Sequence, residues 1–176
     1  MKRNNFKKPH DAEGRTIINM SVNNDSDFLS SYSEKDVPVI NGEVAEFLEQ
    51  ATVSTLPKNG YVLKIHSDCI DDQEKVVYEK AVREYYSERC VACKEEIKSK
   101  CVISAILAII GVLILSIAII LEYNNYVFWT RIIDIAAWVF VWEAIDVWAL
   151  RCREIRFKVK KYQAFTNMKI EFIDKK

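Results

Sequence analysis

Two residue pairs carry the spacing of a metal knuckle, His66-x-x-Cys69 and Cys90-x-x-Cys93. Imidazole and thiolate are ligands that zinc prefers, and a two-residue gap lets both members of a pair reach one ion. Against a metal, the second pair is flanked by Arg89 and Lys94 and has no glycine of the kind that tight knuckles favour. Cysteines used as ordinary small residues are the simpler reading, and no cofactor is expected. The run Cys90-Val-Ala-Cys93 is also a poor thioredoxin-type motif, since such a motif opens a helix after a strand. Asn23-Asn24-Asp25-Ser26-Asp27 offers oxygens for calcium but lacks the glycine and closing glutamate of an EF-hand, so a solvated loop is expected. There is no glycine-rich phosphate loop. With His10 and His66 as its two histidines, the chain has little from which to build a Ser/His/Asp arrangement. No enzymatic activity is expected.

A second set of charges stands where charge is expensive. Arg131, Asp134, Glu143 and Asp146 lie in an otherwise apolar, tryptophan-rich segment, 126–150. Ionisable groups at membrane depth are functional candidates by default, because only a pathway or a partner compensates their desolvation. They either carry ions or protons, or they snorkel and hold helices together. At helical spacing Arg131, Asp134, Trp138, Trp142 and Asp146 share one side, with Glu143 at its edge. That side is expected to turn inward, toward the preceding helix or another copy, with Arg131 and Asp134 pairing at i,i+3. The opposite side (Ile133, Ala137, Phe140, Val141, Ala144) suits lipid.

These charges need a membrane element to position them. Residues 101–121 contain no charge at all, and about 20 apolar residues suffice to cross a hydrocarbon core of about 30 Å. Residues 127–150 are less orthodox. Each charge near a helix centre costs about 2.5–3.5 kcal/mol on insertion scales, against about 0.3–0.6 gained per large apolar residue. Trp129 and Trp148 are natural interface anchors, however, which brings Arg131 and Asp146 within snorkelling reach. A helix lying in the interface is the competing reading. Lys94, Lys98 and Lys100 precede the first segment, and Arg151, Arg153, Arg156, Lys158, Lys160 and Lys161 follow the second. The linker 122–126 has no Lys or Arg, so the positive-inside rule places it outside and both termini in the cytoplasm. The basic N-terminus lacks the apolar region of a signal peptide. A small-residue stripe of Cys101, Ser104, Ala108, Gly111 and Ala118 marks the packing side of the first segment. In outline, two spans with a short acidic linker resemble the mitochondrial calcium uniporter family. The linker Glu122-Tyr-Asn-Asn-Tyr126 lacks that family's Trp-Asp and Glu-Pro motif, so no function is carried over from the outline.

The soluble part predicts an α+β fold. Residues 16–22, 61–67 and 168–173 alternate apolar and polar with period two, as half-buried strands do. Residues 42–51 form an amphipathic helix between the first two, giving a β-α-β unit completed by a strand from the far end of the chain. Asp71 and Glu74 make a capping box that opens a long helix; no breaker intervenes before the membrane segment, so 72–121 is expected as one helix or two with a slight bend. Its face of Tyr78, Val82, Tyr85, Tyr86, Cys93 and Ile97 is matched by Ile155, Val159 and Tyr162 on 151–165. The expected order is a disordered basic tail (1–15), a cytoplasmic α+β domain with a stalk helix (16–100), two membrane helices (101–121 and 127–150) joined by the linker, and a helix and strand completing the domain (151–176). Lys plus Arg and Asp plus Glu balance at 25 each, which gives no reason to expect nucleic acid. The partners to expect are the bilayer, a second copy, or a protein docked on the soluble domain. A non-enzymatic interaction or assembly module is the leading functional expectation, and a subunit of a homo-oligomeric channel or transporter lined by the second segment is the alternative.

Overall fold

The computed structural model describes residues 9–24, 27–34, 37–52, 59–68 and 70–173. In chain order the elements are β1 (Thr16–Ser21), α1 (Gly42–Ala51), β2 (Tyr61–His66), α2 (Asp72–Tyr123), α3 (Val127–Asp146), a turn of π-helix (Val147–Arg151), α4 (Cys152–Thr166) and β3 (Lys169–Ile173). The chain is mixed α+β and divides into two compact units, Met1–Cys90 with Lys160–Lys176, and Val91–Val159.

The first unit is built on a three-stranded parallel sheet in the order β1-β2-β3. Parallel neighbours require crossovers; α1 supplies the first, and the chain from α2 through α4 supplies the second. The register sets Ile18 beside Leu63 and Ile170, and Met20 beside Ile65 and Phe172. These are the residues that the period-two alternation places on one face. On the other face Lys64 pairs with Glu171 at 3.7 Å. Central β2 is the most apolar strand, with Tyr61, Val62, Leu63 and Ile65 all buried.

The helices close over the sheet through aromatic rings. Phe165 stacks on Tyr61 at 4.9 Å and on Tyr86 at 4.5 Å, and Phe28 stacks on Tyr78 at 4.3 Å. Leu48 and Ala45 are the buried face of α1, whose first turn is capped by Asn41. The capping box at the start of α2 forms in both directions. Asp71 Oδ1 accepts from the Glu74 amide at 2.9 Å, and Glu74 Oε2 accepts from the Asp71 amide at 2.8 Å. Arg83 fastens the far end of the chain by donating to the Thr166 carbonyl at 2.8 Å.

Part of the segment expected as a solvated tail has local structure. Arg15 pairs with Asp11 at 3.1 Å and Glu13 at 2.8 Å, and His10 bridges to Thr16. Residues 1–8 of that tail, and Asp25 and Ser26 of the acidic loop, lie outside the described residues.

In the second unit the interior positions of α2 recur with heptad spacing. Ser104, Gly111 and Ala118 are buried, and Leu107, Ile114 and Leu121 are half-buried between them. That period is the signature of helices packed side by side with a slight left-handed supercoil. Ala108, expected on the same stripe, is exposed instead, because the seam follows the heptad and not the residue size. Among the described residues α2 is the one helix long and apolar enough to cross a membrane, and only 17% of its most apolar stretch is buried. A core helix of a soluble protein would be mostly covered. The expectation of two such helices is therefore met in part: α3 is long enough at 20 residues but does not qualify, because it carries Arg131, Asp134, Glu143 and Asp146.

Candidate functional site

The four charges of α3 sit on a helix whose inner face is made of small residues. Thr130, Ala137 and Ala144 are its buried positions. Facing them, Ser104 Oγ donates to the Ala144 carbonyl at 2.8 Å. Gly111 sits so close that a Cβ built on it would stand 2.9 Å from Val141 Cγ2 and 3.5 Å from the Ala137 carbonyl oxygen. This backbone approach decides which side of α3 turns inward. A seam that tight admits alanine and threonine but not two indoles.

Of the two inward directions expected for the charged side, the one toward α2 is thus excluded. Trp138 (54% exposed) and Trp142 (65%) point away from α2, and Arg131 is exposed with them. Asp134 and Asp146 are half-buried at the margin, and Glu143 is exposed. Ala137 and Ala144, assigned to lipid on the sequence alone, are the packing residues. The expected Arg131–Asp134 pair also does not form: neither residue has an ion pair among the described residues.

Glu143 and Asp146 find a cation that the sequence had placed outside the membrane segment. Arg151 Nη2 meets Glu143 at 3.0 Å, and Arg151 Nε meets Asp146 at 3.2 Å. The π-turn makes this geometry. Its wide pitch is closed by the Cys152 amide donating to the Val147 carbonyl, five residues back. One inserted residue rotates everything downstream by about 100°. Continuing the heptad of Ala137 and Ala144 would put Arg151 in the seam. The inserted residue puts Cys152 there instead, fully buried and followed by buried Ile155, and releases Arg151 to the outside with its two carboxylates.

No protein-family model matches this chain, and no curated protein or solved structure matches it either.

The candidate metal ligands are scattered. His66 ends β2 half-buried, Cys90 is buried on α2, and Cys93 is half-buried one turn on. Cys69 lies outside the described residues, and among the others no group of three potential ligands comes together. A different thiol pair does meet. Cys101 on α2 and Cys152 at the start of α4 bring their Sγ atoms to 3.9 Å. Cys101 was legible as part of the small-residue stripe. Cys152 was not, because its place in the seam depends on the π-turn, and a regular helical projection places Arg151 there.

Proposed function

We propose that the chain is a two-span integral membrane protein with both termini in the cytoplasm, working as a non-enzymatic interaction or assembly module through its α+β domain and its second span. In this reading α3 inserts beside α2, which reaches the bilayer first and offers it a packing surface. The observation that carries the proposal is the outward stripe of Arg131, Trp138 and Trp142, left over after the small residues of α3 have been used against α2. Charge facing lipid is costly, and a partner helix that meets Arg131 and Asp134 removes that cost. Glu143 and Asp146, matched by Arg151, behave as structural charges. The absence of Lys and Arg from the 122–126 linker supports the orientation.

The alternative is a homo-oligomeric channel or transporter subunit lined by the same stripe. It draws on the same unneutralised Arg131 and Asp134, and it requires more copies, since two helices cannot enclose a pore. The oligomeric state in detergent, measured for the native chain and for Asp134→Leu and Glu143→Leu, separates the two. An assembly module loses oligomer or stability on substitution and shows no flux in proteoliposomes. Loss of ion flux with the oligomer intact would transfer the case to the channel.

A further inference from the structure

We propose that Cys101 and Cys152 are a redox-responsive thiol pair that closes to an intramolecular disulfide when a hydroperoxide is the oxidant. The sulfurs already lie 3.9 Å apart, on two different helices of the same unit. A disulfide needs about 2 Å between them, a gap that side-chain rotation and a small helix adjustment can close. At this level the seam is made of two thiols. A regular helix would put Arg151 here, and the π-turn at Val147–Arg151 is what delivers Cys152 to Cys101.

The two thiols divide the chemistry between them. Cys101 is half-buried and the one a hydroperoxide can meet, whereas Cys152 is wholly covered. Burial also pushes the Cys152 thiol above its ordinary range, with contact from Cys101 adding to this and the nearby Arg156 and Lys100 opposing it. In the first step the Cys101 thiolate attacks the distal oxygen of the hydroperoxide, giving a sulfenic acid and releasing an alcohol or water. In the second, the Cys152 sulfur attacks the Cys101 sulfur; the S–S bond forms, the S–O bond breaks, and the Cys152 proton leaves with the hydroxyl as water. The peroxide is the two-electron acceptor. A dithiol reductant returns the bridge to two thiols by thiol–disulfide exchange and is itself oxidised to a disulfide.

The product pins α2 to the start of α4 and closes a loop containing α3 and most of the apolar part of α2. Fixing such a loop restricts the unfolded chain, so the oxidised protein should resist unfolding more than the reduced one. The inference is independent of membrane topology and of the oligomeric state.

The test uses the full chain purified in detergent, treated with hydrogen peroxide at graded concentrations. Peptide mapping should find one cross-linked peptide joining Cys101 and Cys152, with intact mass lowered by two hydrogens and restored by dithiothreitol. The thermal midpoint should rise on oxidation. Cys101→Ser should abolish both the cross-link and the shift, while a triple Cys69→Ser, Cys90→Ser, Cys93→Ser variant should retain them. Should Cys152→Ser fail to fold, Cys101→Ser and the triple variant decide alone. The proposal is overturned if peroxide drives Cys101 to sulfinic acid with Cys152 still a thiol. It is equally overturned if the bridge joins other cysteines or other chains, or if neither thiol reacts.

Discussion

Ser104 Oγ donates a 2.8 Å hydrogen bond to the carbonyl oxygen of Ala144, and through it α2 and α3 are held at backbone distance. One heptad further along α2, Gly111 lies against Val141. The two contacts differ in kind: one is a polar bond in an apolar seam, the other an absence of side chain.

Ser104→Ala should therefore be mild and Gly111→Val severe. Interhelical hydrogen bonds in membrane proteins contribute about 0.6 kcal/mol on average. Overpacking a close-fitting interior typically costs about 1–3 kcal/mol, and a valine at position 111 must displace Val141 or open the seam. Thermal unfolding in detergent should rank the variants in that order. An unchanged midpoint for Gly111→Val would mean that α2 and α3 do not approach as described.

Tyr61 and Tyr86 make the α+β unit sensitive to alkali. Both are essentially inaccessible, at 1% and 0% exposure. Burial pushes the Tyr61 phenol from 10.0 up to about 12, and burial, followed by the nearby Glu49 carboxylate, pushes that of Tyr86 further in the same direction. A raised folded value means that the unfolded chain releases these protons first. The stability contribution is complete below pH 10.0 and is lost as pH rises toward and through 12. Denaturant midpoints should fall steeply above pH 10.0, and Tyr86→Phe should flatten that fall. A variant with the same alkaline slope as the parent would assign the sensitivity elsewhere.

Deleting residues 167–176 should unfold or loosen the sheet. β3 pairs with β2 along its whole length, and Met168 just before it is 1% exposed. The point substitution Met168→Ala should by itself cost about 2–5 kcal/mol, the usual range for emptying a buried methionine site. Limited proteolysis and melting of the truncated protein provide the check. Unaltered protease resistance would remove β3 from the core.

Topology can be read directly. Single cysteines introduced at Lys8 and Lys176 should be protected from an impermeant thiol reagent in intact cells, and one at Asn124 should react. Labelling at position 8 with protection at 124 would invert the proposed orientation. Labelling at both 124 and 176 with protection at 8 would favour a second segment that lies in the interface.

Much of this architecture follows from periodicities that residues impose locally. Strands β1, β2 and β3 lie where apolar residues alternate, since successive side chains on an extended chain face opposite ways. The start of α2 is announced by Asp71 and Glu74, whose side chains meet backbone amides within four residues. Its apolar half is announced by composition alone. What the tertiary structure decided is how these elements face one another. Hydropathy ranks Arg131, Asp134 and the tryptophans as the side to bury together, but helix packing is set by how closely two backbones can approach. At Gly111 only the face of Ala137, Val141 and Ala144 fits. In the same way, no local signal marks the extra residue of the π-turn. It arises where a cationic Arg151 would otherwise enter the seam, and it exchanges that charge for the Cys152 thiol against Cys101. Short-range preferences determine each element. Volume and desolvation, summed over both helices, determine which residues meet.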